Sequence, residues 1–114
     1  MSKLFAMAVP ILPERAAEWE KFSTELKTTW HAQFCESRNN LGVHERTFLQ
    51  HSPMGDFVVV TLEGDEPEKA FANFAAGNDE FTNWFAEQVK TVHGVDLRQP
   101  PPGPLPELIL DSKA

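Results

Sequence analysis

The sequence predicts an α+β domain in the order βαββαβ, an antiparallel sheet carrying both of its helices on one face. Three observations point there. The segment VHERTFLQHSPMGDFVVVTLE, Val43 to Glu63, has the alternation and turn of a β-hairpin. Short apolar runs, KLFAMAV near the start and LPELIL near the end, have the length of strands. Between these strands lie aromatic-rich stretches with three and four residue spacing. Two right-handed crossovers then put both helices on one side of the sheet and leave the other side bare.

The hairpin sets the register. Ser52-Pro53-Met54-Gly55 has Pro at the second position and Gly at the fourth, the composition of a type I turn. Pairing outward from it sets His51 against Asp56, Gln50 against Phe57, Phe48 against Val59, Arg46 against Thr61 and His44 against Glu63. Because side chains alternate, Val43, Glu45, Thr47, Leu49, Val58, Val60 and Leu62 share one face, mainly aliphatic and suited to packing on helices. His44, Arg46, Phe48, Gln50, Phe57, Val59, Thr61 and Glu63 share the other, and a one-residue bulge would exchange the sets on one strand. The second strand, Phe57 to Leu62, is apolar on both sides and so calls for cover on both. The helices supply one cover; a partner sheet from another copy supplies the second.

The first strand, Lys3 to Val9, is closed by Pro10 and Pro13. Phe5, Met7 and Val9 make its bulky side; Leu4, Ala6 and Ala8 make a smaller one, which either leaves room for a cavity or lets a neighbour pack closely. A single helix from about Pro13 to Ser37 follows, with Pro13 in its first turn, Glu14 at the positive end of its dipole, and a stripe of Trp19, Phe22, Leu26, Trp30 and Phe34. Asn39, Asn40 and Gly42 end it in left-handed conformations. His31 and Cys35 have no partner at metal-ligand or nucleophile spacing and read as structural. Beyond the hairpin, Pro67 opens a helix capped by Asp65 or Glu66, and Ala70, Phe71, Phe74 and Ala75 form its apolar face. Gly77-Asn78-Asp79 breaks it, and Phe81, Trp84, Phe85, Gln88, Val89 and Val92 continue the stripe to Gly94. The break frees Trp84 to be aimed into a cavity, although its spacing also suits a core residue. A Pro-rich, extended arm occupies residues 98 to 114; its strand, Leu105 to Leu110, is expected to pair at a sheet edge of the same chain or of a partner.

Length and charge narrow the function. The 114 residues make one domain, 1 to 114, long enough to bury roughly two thirds of the surface its unfolded form exposes. A formal charge of −7 opposes nucleic-acid binding, which needs a basic stripe, and opposes attachment to an anionic membrane. Cys35 is the one cysteine, so no intrachain disulfide forms. With no signal peptide and no apolar run of spanning length, a cytoplasmic setting is expected. The absence of Tyr removes one common general acid.

The hairpin face of His44, Arg46, Phe48, Gln50, Phe57, Thr61 and Glu63 is the best candidate cavity wall, since small-molecule pockets combine apolar rings with a few convergent polar groups. His44 opposite Glu63 has acid/base potential, because a carboxylate beside an imidazole orients it and raises its basicity; a solvated cross-strand pair is the plainer reading. Arg46 either holds an anionic substrate or neutralises Glu63, and His51 with Asp56 reads as a turn-stabilising pair. His44 and His51 point to opposite faces, and His93 stands at a helix C-terminus where a cation is favoured, so no metal is expected. There is no Gly-rich phosphate loop, nucleophile elbow or CxxC.

With LQHSPMGDFVVVTLEGD as its core and WFAEQVKTVHGVDL following, the chain resembles small members of the dimeric α+β barrel superfamily over residues 3 to 110. That resemblance implies a ferredoxin-like fold, a homodimer closed sheet to sheet, and an interior that binds a small, often hydrophobic or aromatic molecule. Among the activities found in that superfamily are cofactor-free monooxygenase, isomerase and cyclase chemistry; on the residues of this chain such a reaction would use His44 as base with Glu63 behind it, Arg46 or Gln50 to polarise a carbonyl, and Phe48, Phe57 and Trp84 against the substrate. The haem-degrading members use an Asn on the first strand with a Trp and a His; no Asn lies between Lys3 and Val9, so no cofactor is expected. The alternative is a non-catalytic dimerisation or ligand-sensing domain.

Overall fold

The computed structural model describes residues 2–101 and 103–113. It is an α+β fold: β1 (Lys3–Pro10), α1 (Ala16–Lys27), α2 (His31–Leu41), β2 (Val43–Gln50), β3 (Phe57–Gly64), α3 (Pro67–Ala75) and α4 (Glu80–His93). The three strands form one antiparallel sheet in the order β1-β3-β2. The apolar β3 is therefore central, and the strands with more polar or smaller residues take the edges.

The hairpin register is the one its turn dictates. Gln50 lies opposite Phe57, Phe48 opposite Val59, Arg46 opposite Thr61 and His44 opposite Glu63. The Gly55 amide donates to the Ser52 carbonyl at 3.1 Å, and the Met54 amide to the Ser52 hydroxyl at 3.0 Å. His51 Nδ1 stands 3.1 Å from Asp56, bracketing the turn. On the other side of β3, Phe5 pairs with Leu62, Met7 with Val60 and Val9 with Val58, while Leu4, Ala6 and Ala8 fall on the opposite face.

One core cluster gathers Phe5, Val43, Leu62 and Ala70, with Met7, Leu41, Val60 and Phe71 packed against it. Each fully buried large side chain of this kind contributes about 1.5–3 kcal/mol. A second cluster is aromatic and lies among the helices: Phe22 meets Trp84 and Phe85 edge-on, and Phe74 meets Phe85 with rings at 88°. Gly64 closes β3 between Lys3 and Val43, and a Cβ there would collide with the Gly42 carbonyl oxygen.

Three expectations are corrected. The helix expected from Pro13 to Ser37 is two helices, α1 and α2, broken at residues 28–30. Two consecutive β-branched threonines are poor helix formers. The Thr28 hydroxyl donates to the Thr24 carbonyl at 2.8 Å, and the Trp30 amide folds back to Glu25 at 2.8 Å. Pro13 and Glu14 also precede the helix: the Arg15 amide donates to Leu12 at 3.0 Å across a turn in which Glu14 takes a φ of 68°. Finally, Leu105 to Leu110 forms no strand with this chain; Pro104 and Pro106 deprive the segment of two ladder donors, and Leu110 is 88% exposed. Of the proline run from Pro100 to Pro106, Pro102 lies outside the described residues.

Other helix boundaries agree with the sequence, except that Asn39 and Asn40, expected in left-handed conformations, lie inside α2 and only Gly42 takes that role. Gly42 ends α2 with φ 74°, Pro67 sits in the first turn of α3 after Glu66, and Asp79 caps α4. Among the described residues no helix is long and apolar enough to cross a membrane.

Candidate functional site: a cleft between helices and sheet

The helices do not cover their side of the sheet evenly. α2 packs on β2, and α3 packs on β1 and β3, but α1 rests on α2 and α4. Standing off from the strands, α1 leaves a cleft of about 960 Å³ beneath it. Its floor is the helix-facing side of the sheet, including Met7, Val9, Thr47, Leu49, Val58 and Val60. Its roof is the α1 stripe, Trp19, Phe22 and Leu26, with Phe34 from α2 and Phe85 and Val89 from α4. Leu49 is 40% exposed although it faces the helices, because its neighbour is open space rather than a side chain. Leu97 and Leu105 bring the C-terminal segment to the same cleft.

One ion pair stands in this apolar wall. Arg38 Nε lies 2.6 Å from Glu45 Oε1, and the two side chains are only 9% and 8% exposed. The guanidinium is enclosed by aromatic faces, 4.2 Å from the Phe74 centroid, 4.8 Å from Phe34 and 5.1 Å from Phe85. Its Nη1 donates to the Ser37 hydroxyl at 3.0 Å, and the Thr47 hydroxyl donates to Glu45 Oε2 at 3.4 Å. Stacking and hydrogen bonding together offset the desolvation of both charges.

His93, from the last turn of α4, is the second polar group. Its Nδ1 lies 2.8 Å from the Pro10 carbonyl, which can only accept, so Nδ1 carries the proton and Nε2 keeps its lone pair. Burial pushes the His93 pKa below its ordinary value, against a smaller opposing effect of the Pro10 carbonyl. The cation expected at that helix end is thus replaced by a buried neutral imidazole.

The hairpin residues singled out from sequence stand together, but on the sheet's other face. Phe48 is 54% exposed there and Leu4 52%, with His44 exposed and Phe57 beside them. The Glu63 carboxylate accepts from Arg46 Nη1 at 3.0 Å, so Arg46 neutralises Glu63. Gln50 donates to the His51 carbonyl at 2.8 Å. Trp84 is separated from this group: it lies in the helical layer, half-buried and stacked on Trp30 at 5.1 Å with rings 19° apart.

Arg38, Glu45 and Thr47 carry the cleft's polarity and had not been singled out. A signal existed. Glu45 and Thr47 interrupt a set otherwise made of Val43, Leu49, Val58, Val60 and Leu62, and a carboxylate in such company requires a buried partner. Among the described residues no cluster of His, Cys, Asp and Glu is arranged to hold a metal ion. The arrangement can enclose an apolar molecule, present it with one locked ion pair, and offer it a neutral imidazole. No protein-family model, curated protein or solved structure matches this chain.

Proposed function

We propose that the chain binds a small apolar or aromatic molecule in the cleft beneath α1, and that it does so as a homodimer whose two sheets meet through their open faces. The cleft carries the first part: its volume of about 960 Å³ lies within the range of small-molecule sites, and its walls are apolar with few polar groups. Support for the second part is the bare face bearing Leu4, Phe48 and Phe57, beside the Arg46–Glu63 pair. A second sheet on that face would complete a ferredoxin-like dimeric barrel, with His44, Arg46, Phe48, Gln50, Phe57 and Glu63 between the sheets.

The neutral fluorescent probe N-phenyl-1-naphthylamine tests the cleft. It is expected to bind with one site per chain and to gain emission. Leu49→Trp, which places a larger side chain in the open space, is expected to abolish that gain while leaving the melting temperature within a few degrees. Equal binding by both proteins would move the site elsewhere.

His93 favours a second, catalytic reading, in which the bound molecule loses a proton to Nε2 and takes it back at another atom, an isomerisation that needs no oxidant. Turnover of hydroxylated aromatics by the native chain, lost in His93→Gln with probe binding intact, would establish it. Binding without turnover would leave a ligand-sensing domain.

A further inference from the structure

Resting on the cleft as the binding site, we infer that the molecule it takes is electrically neutral, an aromatic body bearing a hydroxyl rather than a carboxylate, phosphate or amine. The Arg38–Glu45 pair decides this. Arg38 looks like an anion receptor, a guanidinium in an apolar wall, but its Nε is engaged by Glu45 at 2.6 Å and its Nη1 by Ser37 at 3.0 Å. Both charged side chains are nine-tenths buried and cancel where dielectric screening is weakest.

An anionic group brought beside Arg38 would also stand beside the Glu45 carboxylate, and would shed its own hydration for a charge already spoken for. A cation drawn to Glu45 meets Arg38 in the same way. His93 adds no compensating charge, because burial beneath α1 keeps its ring neutral, with Nδ1–H directed at the Pro10 carbonyl. The remaining lining charges, Glu20, Lys27 and Asp96, are exposed, so solvent and salt screen them. The net charge of −7 further disfavours anions at long range. What the cleft does offer is acceptors: the Thr47 and Ser23 hydroxyl oxygens, whose protons go to Glu45 and to the Glu20 carbonyl, and the His93 Nε2 lone pair, all suited to a neutral hydrogen-bond donor.

Three probes with the same ring system separate the possibilities: 1-naphthol, 1-naphthoate and 1-naphthylmethylammonium, titrated into the intact chain and read by tryptophan quenching and calorimetry. The expected order is naphthol tighter than either ion by more than about tenfold, since charge mismatch in a desolvated site costs more than a tenfold step. Glu45→Gln removes the counter-charge and is expected to tighten naphthoate by about tenfold or more while changing naphthol by less than about threefold. Naphthoate or the ammonium binding as well as naphthol to the native chain would overturn neutrality and leave the cleft standing as a site. No binding by any probe would remove the cleft itself, and the inference with it. Should Glu45→Gln fail to fold, the order measured on the native chain decides.

Discussion

Arg38 and Glu45 are each other's counter-charge at this site, and removing one leaves the other as an unmatched charge against aromatic rings. Glu45→Ala is expected to lower stability by about 3–5 kcal/mol in urea unfolding, whereas Arg38→Met combined with Glu45→Leu recovers most of that loss, because a well-packed apolar pair avoids desolvating charge. His93 predicts a pH effect with a definite sign. Its folded pKa lies below the ordinary 6.5, so under acid conditions the unfolded chain takes up a proton that the folded chain refuses. Stability is unaffected by this group above that value and falls as pH drops from it toward the depressed folded value. Thermal melts of the native chain and His93→Gln between pH 8 and pH 5 should diverge only on the acid side.

At the level of elements, the join between α3 and α4 rests on Asp79. Its Oδ2 accepts from the Thr82 amide at 3.1 Å and its Oδ1 from the Thr82 hydroxyl at 2.6 Å. That hydroxyl bond holds the Asp79 carboxyl below the usual range, so the cap is fully formed above pH 3.8 and is lost on acidification through the lower folded value. Asp79→Ala is expected to cost about 0.5–2 kcal/mol, measured by denaturant unfolding at neutral pH. This join was legible because Gly77-Asn78-Asp79 is local chemistry, as were the hairpin register and the Gly42 stop. The break between α1 and α2 was not. Trp19, Phe22, Leu26, Trp30 and Phe34 keep helical spacing straight across it, so periodicity alone cannot report it. Local threonine bonds and the stacking of Trp30 on a residue 54 positions away decide it instead. The cleft was hidden for a related reason: the gap under α1 depends on how three separate elements rest on one another, which no single window of sequence contains. The small side of β1 and the polar hairpin face lie on the other side of the sheet from this cleft.

For the whole molecule, the bare sheet face governs association. Under the homodimer reading, Phe48→Asp places a charge in the middle of the joint and is expected to shift native mass spectra from two chains to one, with probe binding in the cleft retained. Loss of the probe site together with the dimer would mean that the two features are one.

The sheet has a further property at its margin. β2 carries His44, Glu45 and Arg46 on its length, but β1 has no ionisable side chain from Leu4 to Val9. Flanking strands without charge accept foreign strands readily, and in concentrated solution that rim is where growth of insoluble aggregates should begin. Hydrogen exchange in stored protein is expected to slow at the Leu4 to Val9 amides as light scattering rises, and to stay unchanged at the β2 amides. The shelf life of this protein is thus written in six uncharged residues at its border.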